Sequence, residues 1–161
     1  MPILTFQLAG QTQTSDGRTV AVPPAVMLQR RGPVIQVSIT AEENIAKNLA
    51  QQGKTLPPPK AGWALIDTGA SVTCVDDQAA KDLGLPIIDV VPMCSASHAQ
   101  TQQNVYPVQI AIPALGFNLQ APRAVGAALD AQGLILLIGR DVLQMCTLFY
   151  NGPAGQITLS I

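Results

Sequence analysis

A chain of 161 residues, 48% apolar and 12% charged, with a net charge of −1, has the composition of one compact folded domain, not of a disordered one. Its few basic residues are scattered apart from Arg30-Arg31, so nothing suggests nucleic acid or an anionic membrane surface as partner, and the longest apolar run, Leu134 to Ile138, is far too short to span a bilayer. Cys74, Cys94 and Cys146 lack metal-ligand spacing and His98 is the single histidine, which argues against a zinc site and against a Ser-His or Cys-His nucleophile and leaves carboxylates as the catalytic groups, with no metal or cofactor expected.

In chain order, Met1 to Phe6 has neither the basic start nor the long apolar core of a secretory signal, so the expected location is cytoplasmic. Residues 1–31 read as an N-terminal strand and loop segment ahead of a core over 34–161, all within one domain over 1–161. Ile35, Val37 and Ile39 alternate with Gln36, Ser38 and Thr40, which predicts a half-buried strand over Val34 to Thr40. Thr40 and Glu43 have capping-box spacing, Ile45 and Leu49 lie one turn apart, and Gly53 stops the pattern, predicting a helix over Glu42 to Gln52. Pro57-Pro58-Pro59 forms a stiff connection into a strand over Trp63 to Ile66.

A second helix is expected over Asp76 to Leu83, closed by Gly84. Pro86 to Ile112 reads as strands around a polar hairpin, Ser95 to Asn104, with Tyr106, Val108 and Ile110 alternating afterwards. Leu134 to Ile138 has the continuous apolar character of a strand buried on both faces, Gly139 breaks it, and Arg140 to Met145 suits one or two helical turns. Thr147 to Tyr150, Asn151-Gly152 and Gln156 to Ile161 form a terminal hairpin. Few aromatics with 13 glycines and 13 prolines agree with a mostly β class carrying a few short helices.

The most informative segment is Ala64-Leu65-Ile66-Asp67-Thr68-Gly69-Ala70-Ser71. An apolar strand delivers the Asp67 carboxylate into a tight turn, Gly69 permits close backbone approach, and the Thr68 hydroxyl can lock the turn. Downstream, Leu136-Leu137-Ile138-Gly139-Arg140-Asp141-Val142-Leu143 repeats the pattern of an apolar strand breaking at glycine. In this order and spacing the two segments resemble the retropepsin-like (retroviral-type) aspartic peptidases, in particular the bacterial branch akin to gag-polyprotein peptidases. The resemblance extends loosely from Val34 to Ile161.

That resemblance implies a retropepsin-like acid protease closed barrel with one lobe per chain. It implies an aspartic endopeptidase in which two Asp67 carboxylates of a homodimer share one proton and activate water against a peptide or protein substrate. The chain holds one Asp-Thr-Gly; Ser15-Asp16-Gly17 lacks the order, so the second carboxylate must come from a second copy. Thr68, Gly69 and Ala70 would support the turn, with Thr68 bracing its counterpart across the two-fold axis. Ile138, Gly139, Arg140 and Asp141 would be structural neighbours of the site. Because Ala70 cannot donate the side-chain hydrogen bond that a serine there could, the pair should work at less extreme acidity.

Three departures from the retroviral pattern stand out. Ser71 replaces the aspartate that meets the arginine in many relatives, leaving Asp76 or Asp77 to take that aspartate's place as partner of Arg140. The substrate-covering flap should lie within Met93 to Tyr106, with Ser97, His98, Ala99 and Gln100 near its centre and no glycine. The chain also continues from Tyr150 to Ile161, so the dimer sheet is expected to consist of C-terminal hairpins, the N-terminal strand being either displaced or added at the edge. The alternative function is a catalytically silent dimeric binding or assembly module on the same fold.

Overall fold

The structure is a computed structural model; it describes residues 2–95 and 98–161, with side chains outside 94–100. The N-terminal region holds β1 (Ile3–Gln7), the hairpin β2 (Gln11–Gln13) and β3 (Thr19–Ala21), and α1 (Pro24–Arg31). The helix corrects the expectation of strand and loop alone. Pro24 occupies its first turn, where no backbone N–H is required, and Leu28 is buried in the main core.

The core continues with β4 (Val34–Ala41), α2 (Glu43–Gln51), β5 (Lys60–Ile66), β6 (Cys74–Asp76) and α3 (Asp77–Asp82). After these come β7 (Asp89–Ser95), β8 (His98–Ile112), β9 (Phe117–Ala127), β10 (Leu136–Ile138), α4 (Arg140–Leu143), β11 (Thr147–Asn151) and β12 (Gln156–Ser160). Strands β4, β5, β10, β6, β9 and β8 follow one another through hydrogen-bonded pairs, and β8 returns to β4 with Ile39 opposite Ile110. That last pairing closes a mostly β barrel of six strands with short helices outside it, as the sequence predicts. Closure also removes the free edges that an open sheet would present.

Alternation along β4 explains why it seats where it does. Val37, Ile39 and Ala41 are buried with Ile110 and Leu136, while Gln36 stays exposed. At about 25 cal/mol per Å2 of apolar surface, each such side chain contributes on the order of 1.5–3 kcal/mol toward closure before entropy is counted. α2 and α3 start on carboxylate caps: Glu42 accepts from Asn44 N and Ile45 N, and Asp76 accepts from Ala79 N. The cap of α2 is therefore Glu42, not the Thr40–Glu43 box, because Thr40 is still paired within β4 opposite Gln109.

Two hairpins differ in detail from the sequence reading. Residues 101–104 are strand, not turn: β7 and β8 pair from Asp89–Val105 to Ser95–His98, so the reversal is tighter than Ser95 to Asn104. Ser97 lies outside the described residues; His98, Ala99 and Gln100 open β8 as backbone. The terminal hairpin is present, but its reversal lies after Asn151, with Asn151 opposite Gln156. Its strands form a separate three-stranded sheet in the order β1-β12-β11. The N-terminal strand is thus added at the edge of that sheet, with Ile3 opposite Ser160 and Gln7 opposite Gln156.

Candidate active site

Two parallel strands place the site. β5 and β10 run side by side with Ala64 opposite Leu136 and Ile66 opposite Ile138, all four buried, and both chains leave the barrel at the same end. Asp67 N donates to Ile138 O at 3.0 Å, so the Asp67 turn and the Gly139 break are tied together where the strands stop.

The turn is held from within by its own carboxylate. Asp67 Oδ1 accepts from Gly69 N at 2.8 Å and from Ala70 N at 3.2 Å. A Cβ at position 69 would stand 3.0 Å from that oxygen, which is why glycine fits there. Arg140 supplies the outer support: its Nη1 donates to Thr68 O at 2.8 Å and Gly69 O at 3.0 Å, and its backbone N donates to Ala70 O at 3.0 Å. The lock is therefore the Asp67 carboxylate and Arg140. Thr68 is exposed, and among the described residues its hydroxyl has no hydrogen-bond partner within the protomer.

Arg140 meets main-chain carbonyls, which corrects the expectation that Asp76 or Asp77 partners it; both carboxylates are engaged elsewhere. Asp76 is buried, caps α3, and accepts from Leu129 N at 3.0 Å. Asp77 accepts from the Tyr106 hydroxyl at 2.6 Å and from Asn104, and pairs with Lys81. Burial works to raise the Asp77 pKa, but hydrogen bonds from Lys81, Tyr106 and Asn104 outweigh it and hold the carboxyl below its ordinary value.

Asp141 has a structural partner that sequence reading missed. Its carboxylate accepts from Thr73 Oγ1 at 2.8 Å and Thr73 N at 3.0 Å, and Thr73 Oγ1 in turn accepts from Gly139 N at 3.2 Å. Thr73 is fully buried, so the cluster satisfies groups that water cannot reach. A threonine inside the apolar run Val72 to Val75 was the available signal. Gly139 is required by sterics: a Cβ there would stand 2.5 Å from Val72 O and 2.8 Å from Thr73 N.

Above the turn opens a cleft of about 860 Å3 whose walls include Asp67, Ala70, Val91, Met93, Val125 and Leu137. Asp67 lines it as a half-buried carboxylate, Asp141 lines it too, and Val91, Pro92 and Met93 bring β7 into its wall. Arg123 also lines the cleft and pairs with Asp89 at 2.5 Å. Cys74 lines it too; burial first, and then the Asp141 and Asp67 carboxylates, push its thiol up to about 11, so it is an inert wall and not a nucleophile. The structure thus gathers Asp67, Thr68, Gly69, Ala70, Ile138, Gly139, Arg140 and Asp141 at one end of the barrel. A half-buried carboxylate at the floor of an apolar cleft can bind and polarise water.

No family model matches the chain, and no curated protein does. Solved structures similar to it include two proteases. The solution structure of simian foamy virus (mac) protease superposes with a TM-score of 0.42 at 18% identity, over 69% of this chain and 91% of that one. The crystal structure of a retropepsin-like aspartic protease from Rickettsia conorii gives a TM-score of 0.45 at 13% identity, over 98% of this chain and 92% of that one. The functional reading rests on the geometry of the Asp67 turn.

Proposed function

We propose that the chain is one lobe of an aspartic endopeptidase, and that two copies, each contributing Asp67, build one catalytic centre. The observation that supports this most strongly is the half-buried Asp67 carboxylate, presented to the cleft by a turn whose other face is exposed. Asp67 is held by Gly69 N and Ala70 N, while Thr68 and Gly69 face outward.

In this reading the two carboxylates share one proton, since like charges so close cannot both ionise. The ionised Asp67 takes a proton from a water molecule as that water attacks the scissile carbonyl carbon. The protonated Asp67 of the second copy gives its proton to the carbonyl oxygen. Collapse of the resulting diol breaks the C–N bond as a proton passes to the departing amine, and the shared proton is restored. An extended peptide would lie along the cleft, with apolar side chains against Val91, Met93 and Val125.

The surface that best fits the second copy is the free edge of β11. That strand is uncharged, pairs only with β12 among the described residues, and leaves Phe149 58% and Tyr150 50% exposed. An edge without charge, proline or cover invites another strand. It also follows α4 directly, the helix from which Arg140 holds the Asp67 turn.

The test is cleavage of a diverse peptide library by the wild type and Asp67→Asn across acid to neutral pH. The reading predicts cleavage by the wild type alone, with the variant still dimeric. Silence from a wild type shown to be dimeric would favour a binding or assembly module.

A further inference from the structure

A second cavity shares no lining residue with the Asp67 cleft. It occupies about 340 Å3 between β1, β4 and the turn Pro113–Leu115, within the range of small-molecule sites. Leu4, Phe6, Leu8, Val34 and Trp63 make its wall apolar. Gln7, Gln36 and Arg31 supply its polar lining, and the rest of the wall suits an apolar body.

Arg31 also lines this cavity, its guanidinium 5.2 Å from the centroid of the Trp63 ring. The C-terminal end of α1, where Arg31 sits, favours the positive charge but does not use the donors of the planar fork. Among the described residues no carboxylate lies within ion-pair distance of Arg31. An apolar chamber with one uncommitted guanidinium matches an amphipathic anion. A carboxylate takes the fork bidentately, and an apolar or aryl tail lies along the apolar wall beside the ring.

We propose that this cavity binds a small monocarboxylate with an apolar or aryl tail, the carboxylate on Arg31 and the tail against Trp63 and Phe6. Such a ligand bridges β1 of the terminal sheet to β4 of the barrel and therefore stabilises the seam between them. It binds without involving Asp67, so the proposal stands or falls apart from the peptidase reading.

Trp63 is the single tryptophan of the chain and reports on the site directly. The experiment titrates full-length protein with 4-phenylbutyrate and, as the neutral counterpart, 4-phenylbutanol, following tryptophan emission. The expected result is a saturable change with the acid, with the alcohol weaker by about tenfold or more, the worth of a charge-assisted hydrogen bond. Arg31→Met should bind the acid as weakly as the alcohol, and Asp67→Asn should bind it like the wild type. Absence of a saturable change with the acid, or equal titration by acid and alcohol, would overturn the proposal. The acid–alcohol comparison on the wild type decides this even if Arg31→Met does not fold.

Discussion

Arg140 reaches back 72 positions to Thr68, donating from Nη1 to its carbonyl oxygen at 2.8 Å and sharing the same nitrogen with Gly69 O at 3.0 Å. Hydrogen bonds from a charged donor to two adjacent carbonyls fix the direction in which the turn presents the Asp67 carboxylate. Arg140→Met should therefore lower activity by roughly tenfold or more through misplacement, and cost about 1–2 kcal/mol of stability. Arg140→Lys should recover little, because a strongly hydrated ammonium on a flexible stem does not hold the direction that the planar guanidinium gives Nη1. Peptidase rates and urea midpoints measured on both variants check this.

Thr73 serves Asp141 twice and Gly139 once. Thr73→Val keeps the shape, removes the hydroxyl, and leaves the buried Gly139 N without its partner, while Asp141 Oδ1 keeps its bond from Val142 N. The expected cost is about 1–3 kcal/mol, read as a lower urea midpoint with an unchanged slope. Thr73→Ser, which retains the hydroxyl, should lose clearly less.

Tyr106 and Asp77 give the fold a defined alkaline and acid dependence. Burial, and then the hydrogen bond to Asp77, push the Tyr106 phenol from 10.0 up to about 12. A group with a raised folded pKa contributes stability that is fully present below pH 10.0 and lost as pH climbs through about 12. Asp77 has the opposite sense: its pKa lies below 3.8, so its contribution is present above that value and disappears as pH falls through the lowered one. Tyr106→Phe should flatten the alkaline limb and shrink the acid one. Chemical denaturation across pH measures both.

The turn around Asp67, the strand before it and the Gly139-Arg140 break were legible because each depends on local chemistry: an apolar run ending at residues that favour turns. The β4 alternation and α3 were legible for the same reason. What Arg140 holds was not, since its partners are carbonyls on a neighbouring turn and carbonyls have no signature in the sequence. α1 as a whole was missed within the expected strand and loop over 1–31, although proline in the first helical turn is compatible with a helix. The polar residues over 101–104 concealed a strand because that stretch is largely open to solvent and shows no apolar alternation.

Phe149 tests the surface assigned to the second copy. It stands 58% exposed on β11, with Thr158 as its neighbour on β12. Phe149→Lys places a charge on the edge and should shift the chain from dimer to monomer in sedimentation, at little cost to the folding of the isolated lobe. Cleavage should fall with the dimer fraction.

The claim that two Asp67 residues make one centre is tested most directly by mixing. Wild type and Asp67→Asn are equilibrated in varied ratios at constant total concentration, and peptide cleavage is recorded. If each centre needs Asp67 from both subunits, activity falls as the square of the wild-type fraction. A linear fall would show that each lobe works alone, and cleavage by pure Asp67→Asn at the wild-type rate would remove Asp67 from the chemistry.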